Sequence, residues 1–297
     1  MDWTRILIGV ILIVAIILYN FGFTVYLLFA KPDKDGPLIW STTEGIGYSA
    51  RGGDPTGYFR LPTTAGESVK NPRFNIVGGK LIYYAPEIQS VCIAGLDEPE
   101  RWVSLESALG SDCTVRDIRP VGKDAVMLVG YPKGSDPDAL PMPVAAARLS
   151  LNASEATPLG AQDLMMGPDG KTFERTASGF AGVTNSPTRI VAWDYSFSQN
   201  RVYASDGKTV SSIAGSTRSD FGLGPLYFVK NVYAVGDEVW LAAVKPFKSG
   251  HLLLSYGPDG SFRKLKLKDK TDIRPPFIKA TPEIVELLTK ISGAVQE

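Results

Sequence analysis

Histidine is all but missing from this chain. His251 is the only one in 297 residues, and cysteine occurs only twice, at Cys92 and Cys113. A serine or cysteine nucleophile needs a positioned base, usually an imidazole. His251 stands at a turn and opens an apolar strand in Lys248-Ser249-Gly250-His251-Leu252, which reads as structural placement. Histidine-rich metal sites and a four-cysteine zinc site are excluded by counting. No P-loop and no G-x-G-x-x-G follows a predicted strand, so the backbone cradles that hold nucleotides are lacking as well. The sequence therefore names no catalytic residue, no metal site and no cofactor. An excess of one charge is also lacking, because 31 basic residues balance 31 acidic ones. That removes the electrostatic footprint of a nucleic-acid binder.

What the chain does have is a long charge-free run near its start. No residue from Ile6 to Ala30 is charged, and Ile6 to Leu18 is apolar apart from Gly9. As a helix this run covers about 37 Å, against a hydrocarbon core of about 30 Å. It ends Leu27-Leu28-Phe29-Ala30-Lys31-Pro32, with Leu28 where a cleaved signal peptide, the rival reading, would place a small residue. The expectation is an uncleaved signal anchor over 1–30 in a single-pass membrane protein. Arg5 before the run and Lys31 and Lys34 after it nearly cancel as orientation signals. The short tail ahead of the span favours export of the domain, to a periplasmic or extracellular location. Export makes a Cys92–Cys113 disulfide the expected pairing, with two buried free thiols as the alternative. Within the run Asn20, flanked by Gly22 and Thr24, is an amide in need of a partner in hydrocarbon. Contact with another membrane helix is the functional reading, and local bonding is the plain one.

Residues 31–37 form a polar hinge, Lys-Pro-Asp-Lys-Asp-Gly-Pro. Beyond it, 38–280 alternates short β-type runs with turn signals, and an all-β domain is predicted. Strands are expected at 80–85, 90–95, 101–105, 114–121, 125–130, 144–151, 189–194, 200–205, 227–235, 238–244, 251–256 and 261–267. The turns between them include Gly78-Gly79, Gly122-Lys123, Asp206-Gly207 and Gly236-Asp237. Gly-Pro-Asp-Gly occurs at Gly167 and again at Gly257, about twice a 45-residue period apart. The Val-Gly-Gly-Lys turn at Val77 is echoed by Val-Gly-Lys-Asp at Val121. A repeat of about 40–50 residues with four strands predicts a β-propeller-like domain of about five to six irregular blades. A β-sandwich is the rival architecture. The stretch Gly78-Gly79-Lys80-Leu81-Ile82-Tyr83, continued by Val91 to Trp102, resembles a kelch-type blade in its diglycine, its tyrosines and its Asp97…Trp102 hairpin. That likeness implies a propeller blade, with Trp102 and Trp240 packed between blades.

The tail differs from the rest. Thr281 can cap a helix with Pro282 at its first position. Ile284, Leu287, Leu288 and Ile291 then make one apolar stripe on an amphipathic helix over 281–297. Docking on the domain's own surface is one use of the stripe, and docking of a partner is the other. Carboxylates that could form a hydrolytic pair, Glu98, Glu100, Asp117 and Asp194, have no distinguishing context. Calcium held by carboxylates around Asp33 and Asp35 or in Asp136-Pro137-Asp138 is one reading and solvated loops the simpler one, and Asn152-Ala153-Ser154 fits a glycosylation acceptor.

Taken together, the residues favour a non-enzymatic, membrane-anchored binding or assembly module. Its expected partners are the bilayer, through one helix, and other membrane or extracytoplasmic proteins, with no nucleic acid. A membrane-tethered hydrolase using a carboxylate pair or carboxylate-bound metal in a central channel is the alternative, and an immunity-type inhibitor of a toxin is a second.

Overall fold

The computed structural model describes residues 3, 6–15, 37–50, 57–134, 144–159, 172–176, 179–183, 190–192, 194–197, 202–214, 217–224, 227–235, 238–244, 251–257, 262–267 and 273–293. Asn20, Gly22, Thr24, the hinge and the loop aspartates 33, 35, 136 and 138 lie outside the described residues. A helix α1 covers 6–15.

The described strands sort into six small antiparallel sheets, each built largely from neighbours in the chain. The first contains β1 (Leu38–Ser41), β2 (Ile46–Ser49) and β3 (Gly57–Phe59). The second runs β4 (Arg73–Val77), β5 (Lys80–Ala85), β6 (Ser90–Ala94) and β7 (Arg101–Ser104), followed by a short helix α2 (Glu106–Leu109). The third holds β8 (Cys113–Val121), β9 (Ala125–Pro132), β10 (Ala145–Ser150) and β11 (Thr157–Leu159). Three strands make the fourth, β12 (Thr172–Thr176), β13 (Gly179–Val183) and β14 (Ile190–Ala192). The fifth is β15 (Asp194–Phe197), β16 (Val202–Ser205), β17 (Thr209–Ala214) and β18 (Thr217–Gly222). The sixth is β19 (Phe228–Val235), β20 (Glu238–Val244), β21 (His251–Tyr256) and β22 (Phe262–Leu267). The last strand, β23 (Arg274–Lys279), returns to the first sheet, giving the order β23-β1-β2-β3. Helix α3 (Pro282–Ser292) closes the chain.

Strands such as β6, Ser-Val-Cys-Ile-Ala, are buried at every position. An unbroken apolar run of this kind belongs in a sheet covered on both faces, and the apolar clusters supply the covers. Ile39, Phe59, Leu81, Tyr83 and Cys92 join the first sheet to the second. Ile82, Val91, Val115, Leu128 and Leu149 join the second to the third. Tyr203, Val210, Val229 and Leu241 join the fifth to the sixth. Leu38, Trp40, Trp240, Leu253 and Phe277 join the sixth back to the first. Trp240 sits between sheets as its sequence context suggested, and half-buried Trp102 packs edge-on to Tyr83 at 5.6 Å.

Turns lock neighbouring sheets together. Gly78 and Gly79 have φ of +58° and +75°, which the tight β4–β5 hairpin requires. A Cβ on Gly78 would lie 2.6 Å from the carbonyl oxygen of Lys123 in the β8–β9 turn, so the two related turns are pressed against each other. The sheets begin at Arg73, Cys113, Thr172, Asp194 and Phe228, an uneven spacing in place of the 45-residue period.

Candidate functional site

The first strands of successive sheets lie side by side. β4 runs beside β8, β15 beside β19, and β19 beside β23. Where they converge, Asn75 on β4 is 2% exposed and makes three hydrogen bonds. Its Nδ2 donates to the Ile118 carbonyl of β8 at 2.9 Å and to the Tyr233 hydroxyl of β19 at 3.1 Å, while its Oδ1 accepts from the Ile76 amide at 2.8 Å. Tyr233 stands edge-on to Phe277 of β23, with ring centroids 6.2 Å apart. These contacts link β4, β8, β19 and β23. Ser196 of β15 accepts a hydrogen bond from the neighbouring Ala234 amide at 2.9 Å. Burial raises the Tyr233 hydroxyl well above the usual tyrosine range, and the Asn75 bond opposes the shift while the Asp117 charge adds to it. Asp117 is itself ion-paired with Arg119.

The layer was hidden in the sequence. The one signal was an amide inside the apolar run Phe74-Asn75-Ile76, since asparagine is depleted in strands.

The candidate carboxylates are spread over three places in the fold. Glu98 in the β6–β7 connection binds Lys80 at 2.7 Å, and Asp117 binds Arg119. Glu100 precedes β7, and Asp194 begins β15 on a different sheet. His251 opens β21, in register with Val244 and Leu267. Among the described residues no group of three His, Cys, Asp or Glu could hold a metal ion.

In the structure the two cysteines, expected as a Cys92–Cys113 disulfide, are free thiols. They belong to different apolar clusters, Cys92 to the one between the first and second sheets and Cys113 to the one between the second and third. Cys92 shares a hydrogen bond with the Tyr83 hydroxyl, and burial pushes its thiol up to about 12. Burial raises the Cys113 thiol as well. Because only thiolates react, iodoacetamide is expected to leave both cysteines unmodified in the folded protein near neutral pH. Denaturant without reductant should then expose both to full labelling. Failure to label after denaturation would restore the disulfide.

Helix α3 begins as read, with Thr281 Oγ1 accepting from the Ile284 amide. Its stripe is used within the chain. Leu287, Leu288 and Ile291 are buried, and Ile284 packs half-buried against the same cluster. The domain's own first and second sheets cover these four residues. Lys290 also donates to the carbonyls of Gly95 and Leu96. Beside α3 lies an open groove of about 630 Å³ lined by Pro37, Tyr48, Pro282, Val285, Glu286 and Thr289 among others.

The arrangement is that of a β-rich domain of small antiparallel sheets. No family model matches the chain, and no curated protein does. Solved structures with similar course include a quinonprotein alcohol dehydrogenase-like protein from Bacteroides thetaiotaomicron (TM-score 0.46, 10% identity, 84% of this chain and 79% of that one). A streptogramin B lyase aligns with TM-score 0.41 at 10% identity, over 80% of this chain and 84% of its own. Virginiamycin B lyase from Staphylococcus aureus aligns with TM-score 0.42 at 9% identity, over 79% and 86%.

Proposed function

We propose that the chain is a non-enzymatic binding or assembly module, in which a propeller-like ring of six sheets is tethered to a membrane by the apolar run from Ile6 to Ala30. The observation that carries the tether is α1. Its residues Ile6, Leu7, Ile8, Val10, Ile11, Leu12, Ile13 and Val14 are between 37% and 61% exposed. An apolar helix left exposed among the described residues needs a cover such as lipid or another protein. Among the described residues no helix is long and apolar enough to cross a membrane. The charge-free sequence continues beyond α1 to Ala30 and reaches spanning length. The ring reading draws on the four apolar seams, which run first to second, second to third, fifth to sixth, and sixth back to first. It also draws on the pairing of β23 with β1, which unites the two ends of the domain in one sheet.

The full-length protein is expected to stay with membranes through an alkaline carbonate wash, and a variant lacking 1–30 is expected to move to the soluble fraction. A full-length chain that washes off would overturn the tether. In mild detergent the assembly reading requires a stoichiometric membrane partner that is lost on Asn20→Leu. A solitary chain would remove that half of the proposal.

A further inference from the structure

We propose that the groove beside α3 is where the membrane partner docks, taking a short apolar segment that carries a basic residue and adjoins the partner's own membrane span. The inference rests on the tethered assembly reading above and names the surface which that reading needs.

Helix α3 has two faces. Ile284, Leu287, Leu288 and Ile291, at i, i+3, i+4 and i+7, pack against the domain. Pro282, Val285, Glu286 and Thr289 repeat the same spacing on the flank turned away from that stripe. This second face forms one wall of the groove, and Pro37 ahead of β1 and Tyr48 of β2 form the other. The groove's volume of about 630 Å³ lies within the range of pockets that hold ligands. Both walls are set before anything binds. The Ala280 amide donates to the Pro37 carbonyl at 2.9 Å, and the Thr281 hydroxyl caps the helix. Tyr48 stands edge-on to Phe59, with ring centroids 5.6 Å apart. A preformed groove loses little freedom on binding.

The length of chain ahead of Pro37 limits what the groove meets. Seven residue steps separate Ala30, the last residue of the apolar run, from Pro37. Fully extended, they cover at most about 25 Å. With the run in a bilayer, Pro37 and its groove stay within that distance of the membrane surface. A surface so placed meets lipid, or the part of a membrane protein that lies just outside its span.

Charge decides between the two. Glu286 is exposed on the groove wall and makes no ion pair among the described residues. Its ordinary helix mate, Lys290 at i+4, turns instead to the carbonyls of Gly95 and Leu96 after β6. Glu283, one turn earlier, is exposed as well. An anionic lipid surface is repelled by this edge, whereas a lysine or arginine beside apolar residues matches it. A contact confined to the groove is small beside a stable interface of at least about 1,000 Å². It therefore acts jointly with the contact inside the membrane, since two linked contacts on one partner reinforce each other.

The test places a photoreactive amino acid at Thr289 of the full-length chain in its native membranes. One discrete protein adduct is expected, attached beside a Lys or Arg within about 15 residues of a membrane-spanning run. Glu286→Lys should cut its yield at least about 5-fold. The same reagent at Asn152, exposed after β10 in the third sheet, should give no such adduct. An adduct with lipid or with a second copy of this chain overturns the groove. So does an equal adduct from Asn152, a yield indifferent to Glu286→Lys, or no adduct at all. A carbonate wash of the same membranes separates that failure from failure of the tether. A chain that stays with the membrane and gives no adduct loses the groove alone, and a chain that washes off loses the tether itself.

Discussion

Removal of residues 273–297 is expected to abolish cooperative folding of the domain. The segment supplies β23, whose Leu38↔Lys279 and Ile39↔Ile278 pairs complete the first sheet. It also supplies Phe277, Leu287, Leu288 and Ile291, of which the first three are at most 1% exposed. Burying each such side chain contributes about 1.5–3 kcal/mol. Their combined loss is comparable with the whole net stability of a domain, about 5–15 kcal/mol. The cut also bares the cluster around Phe59, Leu81 and Tyr83 that α3 covers. Circular dichroism with urea or heat should show no sharp transition, and the truncated chain should aggregate. A shorter cut after Lys279 that removes α3 alone should lower the midpoint and keep the transition. A cooperative transition of native steepness in the longer truncation would mean that β23 is not part of the folding unit.

The second large effect is expected at the layer around Asn75 and Tyr233. Asn75→Ala leaves the Ile118 carbonyl, the Tyr233 hydroxyl and the Ile76 amide each short of a partner, and should cost about 3 kcal/mol in urea unfolding. Tyr233→Phe removes one bond and leaves Asn75 its other two, so about 1 kcal/mol is expected. The double variant should cost less than the two singles added together, because the shared bond is lost once. Strict additivity would show that Asn75 and Tyr233 do not interact. The same pair predicts an alkaline signature. The folded state holds the Tyr233 proton that the unfolded state releases near the ordinary value of 10.0. Its contribution is therefore complete below that pH and declines as pH rises above it. Burial raises Tyr83 in the same direction, so Tyr233→Phe should flatten the alkaline loss of stability without removing it.

The strands that were legible in the sequence are those with long apolar runs and glycine turns. Lys80–Ala85, Glu238–Val244 and His251–Tyr256 stand where the residues put them. The first sheet was not legible. Its β1 is four residues long, and its ladder partner arrives from the other end of the chain. Nothing in the sequence marks Arg274-Pro275-Pro276 as part of a strand, because proline donates no backbone hydrogen bond. β23 lies at the edge of its sheet, where a strand tolerates proline. Thr281 and Pro282 marked the start of α3 because capping is local chemistry. Local chemistry could not say what the stripe of Leu287, Leu288 and Ile291 would meet, since Phe59, Leu81 and Tyr83 are distant in sequence. The Asn75–Tyr233 contact joins positions 158 residues apart, and no periodicity reports such a pair.

The seam between β1 and β23 also determines how the domain bears mechanical load. A pull on the N-terminal segment enters through Pro37, whose carbonyl accepts a hydrogen bond from Ala280 at 2.9 Å, and passes directly into β1. β1 is flanked by β2 on one side and β23 on the other, both antiparallel to it. Tension along β1 therefore loads two ladders in shear, so several hydrogen bonds must stretch together before any one breaks. A pull from the N-terminal side therefore acts on the one strand that β23 clamps, and the domain resists being peeled open from its own first strand.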